Sequence, residues 1–361
     1  MTGQSRTLST IRGDGDRRSS RGSHFANRFY QIGISMCVAL GLVGAPRAYA
    51  EGPEPDFSGV TLTVGTPNKT GLHRQLLASH EADNTPYKIQ WADFDSTPPL
   101  VEALRAGHVD IAAGGDTGVL FAIAAGVKIS ILGAAVERKK SGSAILVRGD
   151  SPIQTVAELK GKKIALPYFT KQHYQLARAL EQSGVPWDQK LILRLNTTDG
   201  LSALINGQVD AFVVWDPNTA IAETQHGARI LKPLSEIIDT AGILYAPASS
   251  LQDPKRVAAL KDLTRRVIRA QGWVNVHPAE WSEQVAALAQ ISIEAARLQA
   301  SRSSTIYAPA TSADIVAGWQ KEIEFFVATG DFRKSYQISD YVAAEFAGVV
   351  ADEASRVANT E

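Results

Sequence analysis

The segment 101–110 of this chain recurs in altered form at 201–210. The first copy is VEALRAGHVD and the second is LSALINGQVD. Each has the pattern of the end of an amphipathic helix, a glycine suited to the left-handed conformation after a helix, and a Val-Asp step into a buried strand. A chain that repeats a helix-to-strand unit in this way is predicted to fold into two similar α/β halves.

Strands and helices alternate within each predicted half. The two copies lead into apolar runs at 111–113 and 211–214, and these end near Asp116 and Asp216, which can cap the helices that follow. This alternation predicts two lobes, each a doubly wound sheet with helices on both faces. Because ligands of such sheets bind beyond the carboxyl ends of the strands, we expect a binding cleft between the lobes.

The order of the elements divides the chain into successive segments. Strand-like runs at 143–147 and 242–245 are interpreted as the connections between the lobes, and the chain from about residue 253 is predicted to be helical and to buttress the first lobe. The predicted segments are a signal peptide at 1–50, a leader at 51–57, the first part of lobe I at 58–146, lobe II at 147–244, and the second part of lobe I with the C-terminal helices at 245–361.

The N-terminal segment has the order of a secretory signal peptide. Six arginines precede the uncharged apolar run 32–45, and the small-x-small sequence Ala48-Tyr49-Ala50 follows it. The apolar run is shorter than the roughly 20 residues that a membrane-spanning helix needs. A buried N-terminal helix would instead show amphipathic spacing. We predict cleavage after Ala50 and a periplasmic location.

Beyond the predicted signal peptide the chain is acidic and has no cysteine. The whole chain has 37 basic and 37 acidic side chains, and the first fifty residues hold seven arginines and two aspartates, which leaves 30 basic and 35 acidic side chains. This balance argues against a nucleic-acid partner. Cys37 would leave with the signal peptide, so the mature chain is predicted to have no disulfide, CxxC zinc site or cysteine nucleophile.

Catalytic and metal-binding motifs are missing from the same part of the sequence. It has no GxSxG, GxxxxGK[ST] or GxGxxG sequence. His80-Glu81 begins an HExxH motif, but Asn84 stands where the second histidine ligand would be. We therefore predict no catalytic residue, no metal and no cofactor.

Thr170-Lys171-Gln172-His173 stands at a predicted helix start. Free N–H groups at a helix N-terminus, the positive end of the helix dipole and a nearby ammonium together favour a negatively charged ligand. A purely structural interpretation also remains, in which Thr170 is only a helix cap and Lys171 is only solvated.

Two aspartates and two aromatic residues are further candidates for the cleft. For Asp116 and Asp216 helix capping is favoured over ligand contact or acid–base chemistry, because each stands directly before a predicted helix. Trp215 and Tyr245 are expected either to line the cleft or to lie in the core.

Several stretches match a known family in sequence, order and spacing. They are 98–104, 107–110, 115–116, 122–126, 158–165, 173–174, 179–181, 209–211, 215–217 and 270–278. From residue 60 to about 342 the chain thereby resembles the substrate-binding proteins of ABC importers for aliphatic sulfonates, taurine and nitrate. The resemblance implies a two-lobed type II periplasmic binding protein fold and capture of a small anionic organic ligand. It also implies delivery, by a monomer, to an inner-membrane ABC permease with its ATPase.

The chain departs from the family where the anion is expected to bind. Many sulfonate binders have Gly-Ser-Ser before the matching histidine, whereas this chain has Phe169-Thr170-Lys171, and Asn218 replaces a common tyrosine. With Thr170, Lys171 and backbone N–H groups expected on the anion, the predicted ligand-binding residues are Asn68, Gly115, Asp116, Thr117, Thr170, Lys171, His173, Trp215, Asp216 and Tyr245.

Other functions on the same architecture stay open at this point. Desulfinases and a thiamine-pyrimidine synthase resemble these binding proteins in fold, but the family patterns rely on cysteines that this chain lacks beyond residue 50. A nitrate or sulfate-ester binder, and a sensor that signals by closing its lobes, are further alternatives.

Overall fold

A computed structural model describes residues 55–68, 70–139, 142–238 and 240–360. The predicted signal peptide and most of the predicted leader, residues 1–54, lie outside the described residues. Within the described part, no helix combines the length and the apolar character needed to cross a membrane.

The described residues form eleven strands and eleven α-helices. The strands are β1 Thr61–Thr66, β2 Lys88–Asp93, β3 Ile111–Gly114, β4 Ile129–Glu137, β5 Ala144–Val147, β6 Ile164–Leu166, β7 Ile192–Arg194, β8 Ala211–Val214, β9 Arg229–Pro233, β10 Gly242–Pro247 and β11 Thr305–Ala308. The helices are α1 Leu72–Ala78, α2 Thr97–Arg105, α3 Asp116–Ala124, α4 Lys171–Gln182, α5 Thr197–Ile205, α6 Asn218–His226, α7 Pro254–Val276, α8 Pro278–Ala289, α9 Ile293–Arg302, α10 Ala313–Ala328 and α11 Ala347–Ala358. Short 3₁₀ turns lie at Val156–Leu159, Leu234–Glu236, Ala248–Gln252, Ile338–Tyr341 and Ala344–Phe346.

The strands form two separate sheets. The first has the order β11-β4-β10-β3-β1-β2 and the second has the order β7-β6-β8-β5-β9. In the first sheet β1 runs parallel to β2 and β3, and in the second β6 runs parallel to β7 and β8. In the first sheet β10 pairs antiparallel with β3 and β4, and in the second sheet β5 pairs antiparallel with β8 and β9. Each of these two strands follows a crossing of the chain between the lobes. Two similar mixed sheets confirm the two-lobed α/β fold.

Helices cover both faces of each sheet. In lobe I, Leu263 of α7 and Val350 of α11 belong to the core on one face, and Trp319 of α10 belongs to the core on the other. In lobe II, Leu176 of α4 and Leu204 of α5 belong to two separate cores. The region from about residue 253 contains α7 to α11, and it also contributes β11 to the sheet of lobe I.

The sequence repeat has an equivalent structural role in both lobes. After α2 and α5 the chain passes through Gly107 and Gly207 with φ of +80° and +67°. The repeat aspartates then make matching contacts: Oδ2 of Asp110 accepts from the backbone N–H of Thr63 at 2.8 Å, and Oδ2 of Asp210 accepts from that of Lys163 at 2.8 Å. Each aspartate therefore joins the start of one parallel strand to its neighbour.

The lobe crossings lie earlier than the predicted boundaries. All of β5 pairs in the sheet of lobe II and all of β10 pairs in the sheet of lobe I. The chain therefore crosses between Glu137 and Ala144, and again between Glu236 and Gly242, rather than at 146/147 and 244/245. The apolar pattern of these strands predicts burial, but sheet pairing decides which lobe receives them.

Candidate functional site

A cavity of about 260 Å³ lies between the two lobes. Lobe I contributes the loops after β1 and β3 and the end of β4, and lobe II contributes the start of α4 and the residues after β8. The parallel strands point their carboxyl ends into this space, so the cavity is where a doubly wound fold places its ligand.

The start of α4 forms the lobe II wall of the cavity. Thr170 precedes the helix with φ of −109°, and its side chain makes no capping hydrogen bond. Its hydroxyl instead donates to the carbonyl oxygen of Pro167 at 2.7 Å. Thr170 is therefore not a side-chain cap, and Lys171, which is only 6% exposed, is not a solvated surface lysine. Of the purely structural interpretation, the position of Thr170 at the helix cap is therefore correct, whereas the solvation of Lys171 is wrong.

Lys171 places a buried ammonium at the boundary between the lobes. Its Nζ donates to the carbonyl oxygen of Thr240 at 2.7 Å and lies 3.4 Å from Oε1 of Glu137, the last residue of β4. Lys171 and Glu137 both line the cavity. A cation at the positive end of a helix dipole is unfavourable by itself, so the site combines two sources of positive potential that an anion can balance.

Two buried carboxyl groups lie beneath the cavity at the start of α3. Oδ1 of Asp116 accepts from the N–H of Thr117 at 3.0 Å, and the hydroxyl of Thr117 donates to Oε1 of Glu322 on α10. Burial raises the pKa of Asp116, and Lys171 opposes that rise. Burial and the charge of Asp116 together hold the pKa of Glu322 well above its usual range. A raised pKa favours the neutral form of Glu322, which lowers the negative charge beneath the cavity.

Asp216 lies on the lobe II side of the cavity, and its carboxylate accepts hydrogen bonds from both lobes. Its Oδ1 accepts from the N–H of Ala220 in the first turn of α6 at 3.0 Å, in agreement with its predicted role at a helix start. Both of its carboxylate oxygens also accept from the guanidinium of Arg302 at 2.8 Å.

Side-chain amides line the lobe I wall of the cavity. Nε2 of Gln75 donates to Oε1 of Gln271 at 3.2 Å, and Nε2 of Gln271 donates to Oδ1 of Asn275 at 3.2 Å. Nε2 of Gln299 donates to the hydroxyl of Thr70 at 2.9 Å. These groups supply hydrogen bonds without net charge, as the polar tail of a small ligand requires.

Six of the ten predicted ligand-binding residues line the cavity. They are Asn68, Gly115, Thr170, Lys171, Trp215 and Asp216. Asn68 also fixes its own loop, because its Oδ1 accepts from the N–H of Thr70 at 2.9 Å.

The other four predicted residues lie outside the cavity lining. Asp116 and Thr117 are fully buried beneath it. His173 stacks on Tyr168 with ring centroids 4.0 Å apart, and burial, aided by the charge of Arg194, lowers its pKa to about 3. Tyr245 on β10 is fully buried in the core of lobe I. Of the two roles open for Tyr245, the structure therefore selects the core.

Several cavity residues are not among the predicted ligand-binding residues. They are Glu137, Thr97, Ser143, Gln75, Gln271 and Gln299, and of these Gln271 lies in a stretch that matches the family, 270–278. The amides come from α1, α7 and α9, far apart in the chain, so only the packing of these helices brings them together. The end of β4, next to a lobe crossing, is the one local feature that could have pointed to Glu137.

With the geometry established, the chain can be compared with known proteins. Residues 95–280 match the sequence model described as NMT1/THI5 like. The chain belongs to this NMT1/THI5-like family. A similar protein of Escherichia coli (strain K12), which bears the name aliphatic sulfonates-binding protein, is 36% identical over 212 residues. These are 58% of this chain and 66% of the relative, so the match spans about two thirds of that protein.

Solved structures extend the comparison of this NMT1/THI5-like protein to its whole fold. The alkanesulfonate-binding protein SsuA of Xanthomonas axonopodis pv. citri, bound to MOPS, superposes with a TM-score of 0.72 at 25% identity, covering 78% of this chain and 97% of SsuA. The desulfurization enzyme DSZB superposes with a TM-score of 0.59 at 17% identity, covering 82% of this chain and 99% of DSZB. The chain thus has the two-lobed fold of periplasmic binding proteins, and this fold also occurs in an enzyme.

Proposed function

We propose that this protein is the solute-binding component of an ABC importer, which captures a small organosulfonate or a related oxyanion and delivers it to an inner-membrane permease and its ATPase. The observation that carries the proposal is the buried ammonium of Lys171, which lines a cavity between two lobes at the start of α4. The similarity to sulfonate-binding proteins of the same family and fold supports this ligand class.

The anion binds at the start of α4. The N–H groups of the first helical turn and the ammonium of Lys171 balance its negative charge. Glu137 now pairs with Lys171 across the lobe boundary, so a sulfonate that takes its place gains a charge-assisted hydrogen bond. The amides of lobe I, including Gln271 and Gln299, face the rest of the ligand.

The size of the cavity favours a small ligand. Pockets that hold drug-sized molecules have volumes of roughly 300–1,000 Å³, whereas this cavity measures about 260 Å³. A sulfonate with a short organic tail fits this volume better than a large aromatic acid does.

The ligand stabilises the closed arrangement of the lobes. Glu137 of lobe I and Lys171 of lobe II line the same cavity. A ligand that contacts both walls binds the closed state better than an open one, so it shifts the population towards closure. The closed form is the one that the permease would recognise.

Binding without catalysis is the second part of the proposal. The fold also occurs in a desulfurization enzyme, so the fold does not decide between binding and turnover. The chain has one cysteine, Cys37, and it lies in the predicted signal peptide. The test is to incubate the purified mature protein with sulfinates. Release of sulfite above the buffer control would overturn the proposal that the protein binds without catalysis.

Export is the third part of the proposal. We infer a periplasmic monomer whose first fifty residues are removed after Ala50, with support from the residue order of that segment and from the periplasmic binding proteins of the same fold. N-terminal sequencing of the exported protein should begin at Glu51, and a retained N-terminus would contradict this.

A thermal-shift screen tests the ligand class. Aliphatic sulfonates, taurine, nitrate and a sulfate ester are each added at graded concentrations to the mature protein. At a concentration 100 times its Kd, a ligand that binds only the native state raises the stability by about 2.7 kcal/mol. We expect at least one sulfonate to raise the melting temperature. If none of the added anions raises it, the anion proposal is overturned.

Calorimetry on variants tests the site itself. Lys171→Ala should weaken binding of the best sulfonate at least tenfold, because the anion loses its charged partner. Lys190→Ala is the matched control, since Lys190 is an exposed lysine of the same lobe. Unchanged affinity in Lys171→Ala would remove the assignment.

A further inference from the structure

Arg302 joins lobe I to lobe II by three charged hydrogen bonds. It is the last residue of α9, which packs in lobe I with α1, α7 and α8. Its Nε and Nη2 donate to Oδ2 and Oδ1 of Asp216, each at 2.8 Å. Its Nη1 donates to Oε2 of Glu223 on α6 at 2.7 Å. A guanidinium that binds one carboxylate through two parallel hydrogen bonds fixes both distance and orientation.

The cluster formed by Arg302, Asp216 and Glu223 is well shielded from water. The three side chains are 19%, 9% and 24% exposed, respectively. Burial opposes the charge on Arg302, but the hydrogen bonds to the two carboxylates outweigh it and raise the pKa of the guanidinium. Removal of one partner from such a cluster leaves the other charge poorly solvated.

The carboxylate of Asp216 has little freedom to turn away from Arg302. A Cβ at Gly142, on the crossing from lobe I to lobe II, would clash with this carboxylate. The N–H of Ala220 holds the same carboxylate from the other lobe. Asp216 is therefore fixed at the boundary of the lobes, and Arg302 completes its surroundings.

Asp216 places a negative charge at the wall of the cavity, and Arg302 pairs with that charge. Asp216 lines the cavity, where an unpaired carboxylate would repel an anionic ligand, whereas Arg302 is not part of the lining. The guanidinium supplies the opposite charge within hydrogen-bond distance, so it reduces the repulsion by Asp216, although it also pairs with Glu223. Arg302 can thus control ligand binding without touching the ligand.

We propose that Arg302 is a positioning residue that latches the two lobes and neutralises Asp216, so that it sets how long an anion stays in the cavity. The latch itself is a property of the two lobes, whereas its effect on an anion rests on the proposed function. The two parts are therefore tested by different measurements.

The first test follows the lobes in the absence of any ligand. Spin labels on cysteines introduced at Lys190 in lobe II and Glu283 in lobe I report the distance between the lobes; both positions are exposed. The mature chain has no other cysteine, so labelling is specific. We expect Arg302→Gln to broaden the distance distribution towards longer values and Arg302→Lys to restore part of the short population. The matched control is Arg297→Gln, an exposed arginine of the same helix.

The second test follows the exchange of ethanesulfonate by stopped-flow fluorescence. Arg302→Gln should raise the dissociation rate at least tenfold and change the association rate much less. Arg302→Gln combined with Asp216→Asn should recover part of the affinity, because the carboxylate that Arg302→Gln leaves without its guanidinium is gone, but should keep the broadened distances. If Arg302 had only a structural role, Arg302→Gln would lower the melting temperature without a selective change in the dissociation rate.

Each result supports or overturns a stated part of the proposal. If Arg302→Gln leaves the ligand-free distances equal to those of Arg297→Gln, the latch is overturned. If the distances change but the dissociation rate does not, the effect on the anion is overturned. If the unsubstituted protein binds no sulfonate while the distances respond, the proposed function fails and the latch stands.

Discussion

Nζ of Lys171 lies 3.4 Å from Oε1 of Glu137, and the two residues belong to different lobes. Lys171 is 6% exposed, and the side chain of Glu137 is 26% exposed. The carboxylate therefore stands beside the ammonium to which the proposed function assigns the anion. A ligand that binds there would compete with Glu137 for Lys171.

Removal of this competitor should strengthen anion binding. We expect Glu137→Gln to bind sulfonates about three to ten times more tightly, which corresponds to roughly 0.6–1.4 kcal/mol, the range of a partly exposed ion pair. Isothermal titration calorimetry measures the change, with Glu283→Gln, an exposed glutamate of α8, as the control. Weaker binding in Glu137→Gln would show instead that the carboxylate contacts the ligand favourably.

The buried carboxyl of Glu322 should make the protein less stable as the pH rises. Burial and the charge of Asp116 hold the pKa of Glu322 well above the value of 4.5 that applies in the unfolded chain. Above pH 4.5 the folded state therefore binds more protons than the unfolded state, so the free energy of unfolding falls with increasing pH.

Glu322→Gln keeps the shape of the side chain and removes this titration. From pH 5 to pH 8 the variant should lose less stability than the unsubstituted protein, as measured by urea unfolding. Glu324→Gln is the control, because Glu324 is exposed on the same helix α10. Parallel stability profiles for Glu322→Gln and the unsubstituted protein would contradict the prediction.

The buried imidazole of His173 should make the protein less stable as the pH falls. Its burial, with the charge of Arg194 beside it, lowers its pKa from 6.5 to about 3. Below pH 6.5 the unfolded chain takes up a proton that the folded chain does not, so stability is lost as the pH falls. At pH 5 the loss is on the order of 2 kcal/mol, from 1.36 kcal/mol for each pKa unit.

The comparison of His173→Gln with the unsubstituted protein isolates this loss. Between pH 7 and pH 5 the variant should show a flatter decline in the free energy of unfolding, whatever stability it loses from the stacking on Tyr168. His226→Gln, which alters an exposed histidine at the end of α6, should leave the decline unchanged. Equal slopes for all three proteins would refute the argument.

A glycine of α5 should resist replacement by alanine. A Cβ at Gly200 would clash with the ring of Phe212, which is fully buried on β8. We expect Gly200→Ala to lower the free energy of unfolding by about 1–3 kcal/mol, the usual cost of overpacking. Gly318 lies in α10, and a Cβ added there would meet no atom within 4 Å, so Gly318→Ala should raise stability by about 0.5–1 kcal/mol. Urea unfolding measures the free energy of unfolding of both variants. An increase in Gly200→Ala would contradict the close packing of Gly200 on Phe212.

Part of the site could be predicted because its signals are local. Lys171 follows a turn and opens a helix, and Asp216 precedes one, so neighbouring residues alone indicate their positions. The departure of Phe169-Thr170-Lys171 from the family pattern also indicates the start of α4. Thr170, Lys171 and Asp216 all line the cavity.

The remaining site residues depend on contacts between distant segments. His173 lies on the same helix as Lys171 and in a stretch that matches the family, yet its ring is buried against Tyr168 and Trp187 instead of facing the cavity. Helical periodicity separates neighbouring side chains by about 100°, so one of them can face the ligand while another faces the core. Which face is which depends on the neighbouring lobe.

Patterns within a few turns of the chain are enough to predict the α/β class, the duplicated helix-to-strand unit and the helix start that carries Lys171. Packing between distant segments is needed to place β5 and β10 in their sheets, to bring Glu137 to Lys171 and Arg302 to Asp216, and to bury Tyr245 in the core. The contact between Arg302 and Asp216 joins residues 86 positions apart. Local propensity carries no information about such contacts, since they form only when the two lobes and the C-terminal helices pack together.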